Sequence, residues 1–400
     1  MKLPIYMDNH ATTPLDPRVL EAMMPYFTEK FGNAASKSHV FGWEAEAAVE
    51  KARGQIARLL GASPEEIIFT SGATESNNIA LTGVFEARGE KEASFITCAT
   101  EHKAVLDVCR SLEKKGARLT CLPVEREGRM NLSELKKALS SSPLLVSLMA
   151  ANNEIGTLHP LAEIGALARE KGVLFHTDAA QALGKIPIDV ESMRIDLLSA
   201  SAHKLYGPKG VGILYVRKSV RLKVAALFQG GGHEKGLRSG TLNAPAIVGM
   251  GKACEITAEE MEDENRRISS LRDRLYETII QGLDEVHLNG PPLKQRLAQN
   301  LNVSFPFVKA EALIMEMKEV ALSSGSACTS ASPHPSHVIK ALGVSDEEVR
   351  SSLRFGLGRF NTQEEVDYVA QRVVETVKKI RKASPEYERE KHFASKKMRR

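Results

Sequence analysis

Residues 199–212 read SASAHKLYGPKGVG. The flanking runs IDLLSAS (195–201) and GVGILYV (210–216) are rich in Ile, Leu and Val and are read as strands. Lys204 therefore leaves a strand end and enters a Gly-Pro-Lys-Gly turn. A lysine in that place is ordinarily a solvated charge, and the glycines could belong to a nucleotide loop. The second reading fails on spacing, because neither GxxxxGK[ST] nor a GxGxxG opening a helix is present.

Outward from this stretch the same pattern repeats. EEIIFT (65–70), ASFITC (93–98), LLVSLMA (144–150) and VLFHTD (173–178) read as further strands. Between several of them lie amphipathic runs: NNIALTGVFEARG, HKAVLDVCRSLEKKG and LAEIGALAREKG. The last two end in Lys-Gly, a helix stop. The alternation predicts an α/β fold, a mainly parallel sheet covered by helices. Ligands of such sheets bind beyond the carboxyl ends of the strands. A charged helix over about 252–284 is expected to lead into a smaller α+β unit containing NLNVSF, EVALSS and SSLRFGLGRF. The expected division is a large domain over 16–255, a small domain built from 1–15 and 256–385, and a basic tail over 386–400. A frayed end is the plain reading of that tail, and a docking segment the alternative.

The bulk properties narrow the class. A chain of 400 residues exceeds one ordinary core. Its net charge of +4 offers no reason to expect nucleic acid as a partner. No run of about 18 apolar residues suggests a membrane span. The start, MKLPIYMDNH, has no apolar leader segment, so a cytoplasmic protein is expected. The five cysteines are odd in number and lack a CxxC pair, which favours a reducing compartment. Cys98, Cys109, Cys121 and Cys254 sit in apolar runs and read as packing residues. Cys328 differs: it lies in SSGSACTS (323–330), among small polar residues.

Asp178 ends an apolar strand, where a carboxylate is costly without a cationic partner. The 26 residues from Asp178 to Lys204 are read as one helix and one strand, which brings both side chains to one sheet edge. An aspartate facing a lysine-bound ring is the arrangement pyridoxal phosphate requires: the lysine forms a Schiff base and the aspartate keeps the ring nitrogen protonated. TSGATESNN (70–78) supplies Gly72, Ala73 and Thr74 at a helix start, where unpaired N–H groups attract a phosphate, and Ser201 and His203 can add donors.

In this order, SGATESNN, TEHKAVLD, NNEIGT, HTDAAQALGK, SASAHKLYGPKGVG, GGGHEKGLRSGT, SSGSACTSAS and RFGLGRF resemble the cysteine desulfurases of the NifS/IscS type. The similarity runs from DNHATTP at residue 8 to GRF at 360. It implies the aminotransferase class V fold, the type I pyridoxal-phosphate transferase architecture, with a large domain on a mainly parallel sheet of the seven-stranded type and a smaller α+β domain. It also implies roles. Lys204 matches the Schiff-base lysine, Asp178 the pyridinium partner and Gln181 the partner of the ring hydroxyl. His102 matches a histidine stacked on the ring that assists proton transfer. Ala73, Thr74, Ser201 and His203 match the phosphate site. Thr241 matches a phosphate ligand lent by a second subunit, which implies a homodimer. Asn153, beside the cofactor, and Arg354 match residues that hold the substrate carboxylate.

The resemblance implies L-cysteine as substrate, Cys328 as the thiolate that takes its sulfur as a persulfide, and alanine as product. His102 is the candidate to take up the thiol proton. A small, Gly-containing segment (about 321–333) suits a sulfur that must travel to an acceptor, such as an iron–sulfur scaffold protein. Two other readings remain: a selenocysteine lyase or another β-elimination enzyme, and a non-catalytic scaffold that kept the fold. His334 and His337 depart from the family, and Cys-x5-His-x2-His is no recognised metal spacing. No resident metal is expected, with Cys328 at most a ligand to a passing cluster.

Overall fold

The six strands read from the sequence enter one sheet, and a seventh joins them. The computed structural model describes residues 1–89, 93–324 and 335–385, with Tyr387 and Arg389. In chain order the strands are β1 (Ile5–Tyr6), β2 (Ile67–Thr70), β3 (Ser94–Cys98), β4 (Arg118–Leu122), β5 (Leu145–Ser147) and β6 (Leu174–Asp178). They continue with β7 (Leu197–Ser201), β8 (Gly212–Val216), β9 (His287–Leu288), β10 (Asn300–Ser304), β11 (Val320–Ala321) and β12 (Ser352–Gly356). The large sheet has the order β2-β8-β7-β6-β5-β3-β4. Its pairs from β7 through β6, β5 and β3 to β4 are parallel, and β8 runs antiparallel to both β2 and β7. The inner strands β5, β6, β7 and β8 are buried along their whole length, which is why they appear in sequence as continuous apolar runs. The strand that no sequence run marked, β4, is an edge strand with one fully buried residue, so its sequence lacks that signal. Cys121 lies on it and is exposed, which corrects its reading as a packing residue. Cys98, Cys109 and Cys254 are buried as expected, and burial pushes the Cys98 thiol up to about 11.

The connection from β6 to β7 contains turns and no helix, contrary to expectation. Gly184, Pro187 and a sharp reversal that bridges Leu183 and Ile186 prevent a helix there. The two strands still pair side by side, with Asp178 opposite Ser199.

The charged helix runs over Ala244–Gly282, starting earlier than read. Asn243 caps it by accepting from the Ala246 amide at 3.2 Å, and Pro245 sits in the first turn, where no N–H is missed. Gly251 obscured this start in the sequence. A Cβ at Gly251 would come within 2.7 Å of the Ala52 Cα, so the glycine allows the Val40–Leu60 helix to pack close. The helix feeds two cores. Ala244 to Ile256 join a cluster beneath the large sheet, and Ile268 to Ile279 join a second cluster with Ile5, Met7, Leu301, Phe355 and Val373. Around the second core lie the antiparallel sheet β12-β10-β9 and the parallel pair β1-β11. No described helix is long and apolar enough to cross a membrane.

One buried ion pair fastens the GGGHEKGLRSGT segment to the large sheet. Both Glu234 oxygens accept from the Arg53 guanidinium at 2.9 Å, Glu234 Oε2 also accepts from the Phe69 amide at 2.7 Å, and Arg53 donates to the Ile67 carbonyl at 2.7 Å. Breaking a buried pair from one side strands the other charge. Glu234→Ala is therefore expected to lower unfolding stability by about 3–5 kcal/mol. An unchanged denaturant midpoint would refute this.

Candidate active site

The carboxyl ends of β2, β6 and β7 converge on a cleft of about 460 Å³. Asp178 is the last residue of β6, Lys204 ends the turn Ala202–Lys204 after β7, and Gly72 caps the helix Ala73–Arg88 after β2. Gly212, paired with both Thr70 and Ser201, permits this convergence. A Cβ there would lie 2.5 Å from the Gly72 Cα. Ala73, Thr74, His102, Asn153, Asp178, Gln181, Ser201, His203, Lys204 and Arg354 all line the cleft. Thr241 does not, and it is exposed on this chain. Cys328 and His334 lie outside the described residues.

Lys204 Nζ donates to the carbonyls of His10 and Ala11 at 2.5 and 2.6 Å. Asp178 is 6% exposed; its oxygens accept from Asn77 Nδ2 at 2.7 Å and from the Ala180 amide at 2.9 Å. Among the described residues no salt bridge reaches Asp178, so the cation its burial calls for is absent from this part of the chain. The buried Asn77 Oδ1 has no partner either. Both observations fit a cationic ring with a donor at this end of the cleft.

At the other end, the amides of Ala73 and Thr74 have no acceptor among the described residues. Their positive helix end, with Ser201 beside Gly72 and His203 nearby, suits a phosphate. His203 Nδ1 lies 3.1 Å from Thr12 Oγ1. Burial, then the charges of Lys204 and Lys209, lower its pKa to about 4. The donor set and its unmet bonds therefore fit pyridoxal phosphate.

Three residues to which the sequence reading gave no role complete the site, although Asp8 and His10 lie in DNHATTP and Asn77 in SGATESNN. His10 is fully buried, and burial, then Arg354, lowers its pKa to about 3. Gln181 Oε1 lies 2.9 Å from His10 Nδ1, while Asn300 Nδ2 donates to His10 Nε2 at 3.1 Å, which assigns the proton to Nδ1. Gln181 Nε2 donates to the His10 carbonyl at 2.9 Å and has a second hydrogen to give. Asp8 Oδ1 accepts from Arg354 Nη2 at 2.8 Å, and the Asn153 carbonyl accepts from Nη1 at 2.9 Å. Arg354 is thus held in one plane before any ligand arrives, and its buried Nε has no partner among the described residues. Asn77, the third, is a polar residue inside a helix. Periodicity alone places such a residue on the solvent side.

His102 caps the helix Lys103–Lys114, with Nδ1 accepting from the Ala104 amide at 3.1 Å. The neutral ring therefore carries its hydrogen on Nε2. To take the Cys328 proton at Nε2 it must adopt the other tautomer and give up the cap, worth about 1 kcal/mol.

Residues 5–369 match the aminotransferase class-V family, and the chain belongs to it. Enzymes of this family use pyridoxal phosphate. Over 388 residues the chain is 58% identical to "Cysteine desulfurase IscS" of Anaeromyxobacter dehalogenans (strain 2CP-C), covering 97% of this chain and 96% of the relative. Among solved structures, a "NIFS-LIKE PROTEIN" superposes with a TM-score of 0.87 at 40% identity, over 94% of this chain and 99% of its own. Another, "SspA in complex with cysteine", gives 0.77 at 37% identity, over 90% of this chain and all of its own.

Proposed function

We infer that the chain is a cysteine desulfurase, which converts L-cysteine to L-alanine and carries the sulfur away as a persulfide on Cys328. The observation that carries this reading is the meeting of Lys204, Asp178 and an open helix N-terminus in one cleft, with Arg354 also in its wall. Lys204, Asp178, Gln181, His102 and the Ala73–Thr74 amides would hold pyridoxal 5′-phosphate, helped by Ser201 and His203. When bound, the cofactor supplies a sink for the electrons of the substrate Cα–H bond.

Lys204 Nζ takes the Cα proton, steadied by the His10 and Ala11 carbonyls. Arg354 and Asn153 hold the substrate carboxylate, and Asp8 keeps the guanidinium in plane. The Cys328 thiolate attacks the substrate sulfur. An S–S bond forms, the Cβ–S bond breaks, and Cβ takes a proton to give alanine. His102 serves as the proton carrier.

A second copy of the chain would lend Thr241, which is exposed and does not line its own cleft. Phe27, Phe31, Phe41 and Trp43 are each at least 45% exposed and give an apolar surface for that copy to cover. The odd cysteine count supports a reducing, cytoplasmic setting, and a thiol set in the small, Gly-containing sequence SSGSACTS supports an acceptor protein of the iron–sulfur scaffold kind.

Equal yields of alanine and sulfide from L-cysteine with a thiol reductant test this reading. Faster turnover of L-selenocysteine would favour the lyase instead. In the same assay Arg354→Lys, which loses the planar fork, is expected to raise KM for L-cysteine about tenfold or more. An unchanged KM would remove Arg354 from carboxylate binding.

A further inference from the structure

His337 is one of the two histidines that set this sequence apart, and the site described above does not use it. We propose that His337 is a positioning residue for sulfur transfer: it ties the chain emerging from the Cys328 segment to the backbone that carries His102. Its Nε2–H donates to the Glu101 carbonyl at 3.0 Å. Glu101 directly precedes His102 and is itself immobilised. Its fully buried side chain accepts from the Met149 amide at 2.6 Å, its amide donates to the Cys98 carbonyl at 3.2 Å, and Asn152 Nδ2 donates to the neighbouring Thr100 carbonyl at 2.9 Å.

The preceding residue makes a parallel tie. Ser336 Oγ donates to the buried Glu154 carboxylate at 2.5 Å and accepts from the Ile339 amide at 3.1 Å. On the other side of the Cys328 segment, the Ser323 carbonyl accepts from the Arg354 amide at 2.8 Å. Both stems of the segment are therefore bonded to backbone that carries cleft residues: Arg354 at one stem, His102 at the other. A rigid stem fixes where the segment starts and ends relative to the proton carrier, which is what an attacking sulfur needs. Val338 and Ile339 are buried against Ile155, Leu342 and Val349, so this helix start stays seated without the His337 bond.

The proposal rests on the reading that His102 and Cys328 carry the sulfur step. The test uses the holoenzyme and alanine release from L-cysteine. His337→Phe, which keeps a ring and removes the donor, is expected to lower kcat about tenfold, with KM, cofactor absorption and Tm unchanged. His337→Gln, which keeps an N–H donor, should recover to within about threefold of the unaltered enzyme. In a His102→Gln background, His337→Phe should add less than about twofold, because the two residues act through one element. Unaltered kcat in His337→Phe beside a slow His102→Gln overturns the proposal alone. So does a His337→Gln as slow as His337→Phe, or a full tenfold loss added to His102→Gln, the mark of an independent structural role. Unaltered turnover in His102→Gln overturns the role of His102 and the proposal with it.

Discussion

Alanine release from L-cysteine is expected to fall by on the order of 10³-fold or more in Cys328→Ala, with cofactor absorption retained. A nucleophile cannot be replaced by positioning alone, and no other cysteine is suited to the task. Cys98, Cys109 and Cys254 are buried, and desolvation holds their thiols protonated, at about 11 for Cys98 and about 12 for the other two. Cys121 is exposed, but it lies on the edge strand β4 and does not line the cleft. The groups that would hold cofactor and substrate, among them Asp178 on β6, Ser201 on β7, Lys204 in the turn after it and Arg354 on β12, lie outside residues 321–333, so the variant should still bind L-cysteine and show a spectral change on mixing. Cys328→Ser should be equally slow, because an alkoxide is far harder to form than a thiolate near neutral pH. Undiminished alanine release in either variant would take Cys328 out of the reaction.

Lys204→Ala should lose turnover by on the order of 10⁴-fold and leave no borohydride-trapped adduct at this position. Nζ would serve twice, as the covalent anchor and as the base, and alanine supplies neither. Lys204→Arg is expected to fail as badly, since a guanidinium stays protonated at working pH. The carbonyls of His10 and Ala11 remain in place in Lys204→Ala and can seat a small amine. Added methylamine should therefore restore part of the proton transfer, in proportion to its concentration. Full turnover without amine, or borohydride labelling at another lysine, would sink the assignment.

How far the sequence could be read depended on the kind of signal each residue leaves. Inner strands are buried on both faces and show as apolar runs, so the strands around Lys204 and Asp178 were legible. The edge strand β4 and the helix start at Ala244 were not, since exposure dilutes the pattern in one and Pro and Gly imitate a break in the other. The helix read between Asp178 and Lys204 is absent, yet the two residues meet as expected, because a parallel pair needs only a connection that returns the chain to the same edge.

Periodicity, turn residues and ordered motifs are local properties, and they were enough to define an α/β sheet with a lysine and an aspartate at adjacent strand ends. Hydrogen bonds across hundreds of residues leave no local trace. The tertiary structure alone put the His10 carbonyl on Lys204, Asp8 on Arg354, Asn300 on His10 and His337 on Glu101. Each of these polar groups is costly to bury singly and stable only when satisfied. Their identities could be read along the chain, but their partners were decided by the packing that closed the two cores together.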